Sequence, residues 1–185
     1  MTQPHGGADL KPLYVGDAAE RSALTKAAEK LPALRVNSAA AANAVMLGAG
    51  YFSPLPGFMH KADALSVARD MRTVGGLFWP VPCLNLTHES IGSAQRIALR
   101  DPNVDGNPVL AVQDVETVET LSDAELKLIT EKVFGTLDPK HPGVETFTSL
   151  GRHVISGPIR VLNYSYFEHE FPDTFRTAPQ IRKAI

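Results

Sequence analysis

Cysteine is almost missing. Cys83 is the single one in 185 residues, so a disulfide within the chain is excluded and a reducing cytoplasm is the expected compartment. An excess of either charge is missing too: 18 Lys and Arg against 20 Asp and Glu give a formal net charge of −2. A dedicated nucleic-acid binder usually carries a basic stripe, so the balance argues against a nucleic-acid partner. No run approaches the ~18 apolar residues of a membrane-crossing helix, and the N-terminus has no charged-then-apolar signal pattern, so no membrane partner is expected. There is no G-x-x-x-x-G-K-[ST] phosphate loop, and no two histidines are close enough to form an H-x-x-H or H-x-G-H pair. What is present, 44% hydrophobic and 21% charged residues, describes an ordinary globular chain. At this length roughly two thirds of the unfolded surface is buried on folding.

The most informative stretch is Gly50-Tyr51-Phe52-Ser53-Pro54-Leu55-Pro56-Gly57-Phe58-Met59. Its prolines fix φ, remove two donors and push Ser53 and Leu55 toward extended backbone. It reads as a stiff, aromatic-studded connector, with Phe52 and Phe58 expected in the core and the prolines fixing the corner.

Periodicity supplies the coarse elements. Leu24, Ala27, Ala28 and Leu31 predict a helix over 21–31, stopped by Pro32, and 34–36 reads as a short strand. Asn37 or Ser38 caps an alanine-rich helix to about Leu47, ended by Gly48 and Gly50. A further helix is expected over 61–72, broken by Gly75-Gly76. The run 77–86 reads as a strand, bulged or at an edge because of Pro80 and Pro82. Segments 96–100 and 109–115 flank Asp105-Gly106, a hairpin signal. Ser122-Asp123-Ala124-Glu125 is a capping box opening a helix to about Phe134. A short helix is expected after Gly143, and a second hairpin, 153–155 with 159–162, across Ser156-Gly157-Pro158. Thr177 and Pro179 open a last helix over 178–185. The start of the chain is expected to be irregular and mobile. The class is α+β, with helices first and then a small, mostly antiparallel sheet or barrel.

Several short motifs in order carry a resemblance. Gly50 to Met59 resembles G-[GY]-F-S-P-L-x-G-F-M, near the start of the ATP sulfurylase (sulfate adenylyltransferase) family. Pro4-His5-Gly6-Gly7 resembles its P-H-G-G opening, Trp79-Pro80-Val81-Pro82 its W-P-[IV]-P, and Ile97-Ala98-Leu99-Arg100-Asp101-Pro102 its I-A-L-R-D-P. Val133-Phe134-Gly135-Thr136, Asp138-Pro139 and His141-Pro142-Gly143-Val144 resemble V-F-G-T-x-D-P-x-H-P-G-V. Gly157-Pro158-Ile159 resembles its G-[GP]-[IV] turn. The resemblance implies a PUA-like β-barrel with helical decorations. It divides the chain into an irregular segment 1–20, a helical part 21–76, a barrel part 77–165 with inserted helices, and 166–185 as linker and helix toward a catalytic domain. Ala42-Asn43-Ala44-Val45-Met46-Leu47-Gly48-Ala49-Gly50-Tyr51 departs from L-x-L-L-x-N-G-G and resembles the form of sulfur-oxidising and dissimilatory microbes.

The family interconverts ATP plus sulfate and adenylyl sulfate plus pyrophosphate, and such a site must neutralise phosphate and sulfate charge and align an in-line attack. The resemblance places that work in a second domain carrying Q-[TN]-R-N-P-x-H-x-x-H and G-R-D-H. Neither motif occurs here: Arg69-Asp70 and Arg100-Asp101 lack the preceding Gly and the following His. The expectation is therefore no catalytic, cofactor-binding or metal residue in this chain, and inactivity on its own. ATP and Mg²⁺ are expected for the full-length enzyme, as are sulfate, adenylyl sulfate and pyrophosphate. The expected partners are the catalytic domain and a second copy in a homodimer. PUA-like barrels elsewhere bind RNA, so a stand-alone RNA-binding or docking module is the alternative.

The remaining candidates read as structural. Cys83 is a small core residue. His141 caps or pins a turn. His153 sits at a solvated strand edge beside Arg152. His88-Glu89 opens a short helix. Arg100 pairs with Asp101 or Asp105, or reaches toward another domain. Tyr164, Tyr166, Phe167 and Phe171 could stack on bases, but Glu168, Glu170 and Asp173 favour a core edge or domain interface.

Overall fold

The computed structural model describes residues 3–7 and 9–185; the part of the expected mobile start that falls on residues 1, 2 and 8 lies outside them. Two compact units interleave along the chain. The first takes Met1–Gly57, Ile91–Val115 and Gly157–Ile185, and the second takes Phe58–Ser90 and Glu116–Ser156.

The first unit is a sheet with helices on both faces. Its strands are β1 (Ala33–Arg35), β4 (Arg96–Arg100), β5 (Val109–Asp114) and the last half of β7 (His153–Val161). The β4–β5 hairpin is antiparallel with Leu99 opposite Ala111, and β5 sets Ala111 opposite Val161. β1 joins β4 in parallel, Leu34 beside Leu99. Leu34, Leu99, Ala111 and Val161 therefore share one face, which α2 (Ser38–Gly48) covers. Gly48 sits so close to Val161 that a Cβ there would overlap the valine side chain. On the opposite face Ala98, Val109 and Val112 pack with Val15, Ala28 and Leu162, with Leu24 of α1 (Ala18–Ala28) against them. A strand covered on both faces is mostly apolar, and β5 has five consecutive buried positions, four of them apolar and the fifth Gln113.

Caps explain the helix starts. Asp17 accepts from the Glu20 amide, so α1 begins three residues before the apolar periodicity does, at Ala18 rather than 21. Asn37, not Ser38, caps α2 through the Ala40 amide. Gly48 is the last residue of α2, and Gly50 turns the chain just beyond, at φ 84°, so the two glycines end the helix as expected.

The second unit sets a three-stranded antiparallel ladder beside helices. β6 (Thr117–Thr120) and β3 (Leu86–Thr87) flank the first half of β7. α3 (Lys61–Asp70) packs on α4 (Asp123–Phe134), and α4 on α5 (Pro142–Thr148). The capping box of α4 is present on both sides, with Ser122 and Glu125 exchanging bonds. α3 stops where Met71 turns left-handed at φ 53°, earlier than Gly75-Gly76.

Four expectations are corrected. The run 77–86 is not a strand: Pro80 and Pro82 offer no ladder donors, Phe78 makes only an isolated bridge to Arg72, and regular pairing begins at Leu86. Residues 153–162 contain no hairpin. β7 runs straight through Ser156-Gly157-Pro158 because Gly157 adopts φ 132° and Pro158 falls where the strand changes partners. His88-Glu89 opens no helix; both lie in a bend, with the Glu89 amide on Thr87 Oγ1. A short helix, α6 (Phe167–Glu170), precedes α7 (Ala178–Ala184) where only a linker is expected, and α7 itself starts with the anticipated Thr177 cap and Pro179.

Candidate functional site

The stiff connector is built as its composition suggests. Its Ser53–Pro54 bond is cis. Ser53 Oγ accepts from the Lys11 amide at 3.0 Å, and Tyr51 donates its hydroxyl to the Arg176 carbonyl at 2.7 Å. Phe58 is buried, while Phe52 is half-buried, so the expectation of two core rings holds fully for Phe58 only. β2 (Gly57–Phe58) begins immediately after Pro56, whose carbonyl accepts from the Ile159 amide. No acid, base or cation lies among these ten residues; they are framework.

The Tyr51 bond leads to the C-terminal aromatics of the first unit. Tyr14 and Tyr164 stack at 4.4 Å between centroids, Phe175 lies 5.1 Å from Tyr164, and Phe167 lies 5.9 Å from Phe175. Tyr14, Tyr164 and Phe175 border a cleft of about 430 Å³ whose other walls include Glu168, Pro172, Arg176 and Gln180. Burial pushes the Tyr164 hydroxyl pKa well up, and the neighbouring Tyr14 and Glu168 add to it. The sequence singles out Tyr164, Tyr166, Phe167 and Phe171 but not Tyr14. Tyr14 reaches the cluster through a parallel bridge to Val161, a contact 147 positions away that no local pattern encodes.

In the second unit His60 gathers a polar network. Its Nε2 lies 2.8 Å from Glu116 Oε2 and its Nδ1 lies 3.0 Å from Ser156 Oγ. Ser156 Oγ is 2.6 Å from Thr117 Oγ1, which donates to Glu119 at 3.2 Å, and Glu119 in turn accepts from the Lys61 amide at 3.1 Å. The Glu116 carboxylate only accepts, so His60 Nε2 carries a proton and donates to it. Serine, imidazole and carboxylate repeat the order of a hydrolytic triad. Ser156, however, is 0% exposed, so no substrate carbonyl can meet its oxygen. The network ties α3 to β6 and β7. It was not legible in the sequence, since His60 and Ser156 are 96 positions apart.

The other candidates stay apart. His141 does cap α5, accepting the Val144 amide on Nδ1. His153 meets Thr120 Oγ1 at the ladder edge, while its neighbour Arg152 pairs with Asp123. His88 Nε2 lies 3.0 Å from the Ser149 carbonyl. Arg100 pairs with Glu29 and donates to the Asn107 carbonyl, not with Asp101 or Asp105. Asp101 is fully buried and turns the hairpin instead, accepting the Asn103 amide. Cys83 is buried, and desolvation pushes its thiol up to about 12, so it is no nucleophile at neutral pH. Among the described residues no group of three or more His, Cys, Asp or Glu could hold a metal ion, and no helix is long and apolar enough to cross a membrane.

An α+β chain with this alternation, and with its side chains spent on caps and packing, matches the PUA-like domain family over residues 2–164. The chain belongs to that family. Among curated proteins it is 60% identical, over its whole length, to a sulfate adenylyltransferase of Allochromatium vinosum, of which it covers 47%. It is 56% identical over 98% of its length to a sulfate adenylyltransferase of Alcanivorax borkumensis, covering 46% of that protein. The chain thus spans about half the length of the curated relatives it matches. A solved structure described as a hexameric APS kinase from Thiobacillus denitrificans superimposes with a TM-score of 0.69 at 22% identity, over 98% of this chain and 31% of that one; that likeness concerns the fold alone.

Proposed function

We propose that this chain is the non-catalytic amino-terminal domain of a sulfate adenylyltransferase, the enzyme that interconverts ATP plus sulfate and adenylyl sulfate plus pyrophosphate. The observation that carries the reading is the 60% identity to a protein of that name, spread over the whole chain yet covering 47% of the relative. In this reading ATP and Mg²⁺ are held by the remainder of the enzyme. The described residues offer no metal cluster, and no step through the nucleotide or the metal is assigned to them. The chain supplies framework for that remainder and contacts for a homodimer, in a reducing cytoplasm suited to its lone buried thiol. The Ala42 to Tyr51 pattern aligns the parent enzyme with sulfur-oxidising and dissimilatory microbes. The alternative RNA-binding role is not supported by the charge at the aromatic cluster, where Glu168, Glu170 and Asp173 would repel a phosphate backbone.

The purified chain, given adenylyl sulfate and pyrophosphate with Mg²⁺, is expected to form no ATP. Measurable ATP formation would falsify the non-catalytic assignment. On a sizing column the chain is expected at twice its 19.9 kDa mass; a monomer would remove the dimer from the proposal.

A further inference from the structure

The cleft at the C-terminal end of the first unit combines aromatic walls with one carboxylate, Glu168, and one guanidinium, Arg176. Tyr14, Tyr164 and Phe175 form its apolar side. Glu168 lines the same space, is exposed, and pairs with no cation among the described residues. The one cation in the lining, Arg176, is already occupied: its guanidinium donates to the carbonyls of Pro172, Asp173 and Phe175. Gln180 accepts the Thr177 amide on its side-chain oxygen at 2.7 Å. Glu170 and Asp173, both exposed, add negative charge in the same segment. The cluster already tolerates the complementary group, for Arg21 stands 5.0 Å over the Tyr14 ring while donating to the Val15 and Gly16 carbonyls.

We infer that this cleft is a recognition site for a guanidinium group, presented as an arginine side chain by a protein partner. A guanidinium is planar and weakly hydrated, so it gains contact with aromatic rings that a compact, strongly hydrated ammonium does not. Its forked donors match the Glu168 carboxylate, giving a charge-assisted pair at the mouth of the cleft. The volume of about 430 Å³ falls at the small end of ligand pockets and holds one long side chain. The inference rests on the cleft itself and stands whether or not the parent enzyme is the one proposed above.

The test follows the ring resonances of Tyr14, Tyr164 and Phe175 by NMR in the 185-residue chain. Nα-acetylarginine amide, the residue as it occurs within a polypeptide, is titrated against Nα-acetylcitrulline amide, its uncharged isostere, and against free arginine. The arginine amide is expected to shift these rings saturably, and the citrulline amide to bind at least ~10-fold more weakly, because the charge-assisted pair is lost. Glu168→Gln should bring arginine amide down to the citrulline level. Glu168 is exposed and unpaired among the described residues, so the rest of the spectrum should not change. Equal binding of arginine and citrulline amides, or an unchanged affinity in Glu168→Gln, overturns the site. Free arginine binding more tightly than the amide overturns the protein source.

Discussion

The sheets of both units bury apolar side chains, Val154 and Ile155 among them in the second, and the second adds a side-chain hydrogen-bond network on one side. In the first, Leu34, Ile97, Leu99, Leu110 and Ala111 are all fully buried and apolar. In the second, the ladder carries Ser156, Thr117 and Glu119 on the side that His60 bonds. Apolar burial scales with area and has no preferred direction. A hydroxyl–imidazole–carboxylate network has a fixed sense of donation and weakens when one member is lost. The first unit should therefore respond to lost volume, and the second to a lost proton donor of nearly unchanged size.

The largest expected effects come from close backbone approach, one site in each unit. A Cβ at Gly57 would collide with the Gly157 carbonyl oxygen and Pro158 Cα. One at Gly151, where φ is +101°, would collide with the Thr87 carbonyl group. Neither obstacle is a movable side-chain end, so Gly57→Ala and Gly151→Ala should each cost ~3 kcal/mol or more, read as lost soluble folded protein or a large drop in urea midpoint. Tolerance of either alanine would contradict the packing described. Next, Leu99→Ala removes a fully buried side chain and should cost ~2–5 kcal/mol. Ser156→Ala, which loses little volume, should still cost ~1 kcal/mol in the second unit by removing the buried hydroxyl that bonds His60 Nδ1 and Thr117 Oγ1. If Ser156→Ala proves neutral by urea denaturation, the contrast between the units fails.

Smaller still are the helix caps, Asn37→Ala on α2 and Ser122→Ala on α4, each about 1 kcal/mol by the same measurement. The smallest effect at neutral pH involves Cys83. Its folded pKa of about 12 stands above the ordinary 9.0, so the neutral thiol contributes stability that is whole below about pH 9. That contribution is lost as pH rises toward 12, where only the unfolded chain has given up its proton. The midpoint should fall with pH above 9, less steeply in Cys83→Ala, and the native thiol should react with a disulfide reagent only as fast as the chain opens.

Legibility from sequence followed the range of the interactions. The Ser122 box, the Asp105-Gly106 hairpin and the His141 cap are set within three or four residues, and each stands where its pattern put it. Arg100 was misassigned because its partner, Glu29, is 71 positions away. β6 was invisible since Thr117–Thr120 is alternately half-buried and exposed and owes its conformation to β7. Residues 153–162 misled in the opposite sense. Ser-Gly-Pro is a turn signal locally, but the strand has different neighbours on each side of it, β6 and β3 before and β5 after. Glycine and proline mark that exchange of partners without reversing the chain. At the cleft, the acid-rich aromatic segment was readable as composition, and Tyr14, its stacking partner, was not.

The interleaving has a consequence for how the protein comes off the ribosome. The first unit needs Val161 beside β5, and that residue emerges only after all of Phe58–Ser90 and Glu116–Ser156 have been made. The segment synthesised first must therefore wait, with β1, β4 and β5 lacking an edge partner, until nearly the whole chain is out. No single cut can release either unit as one continuous piece. Expression of residues 1–115 alone would leave the apolar edge of β5 bare, a template for pairing with other copies.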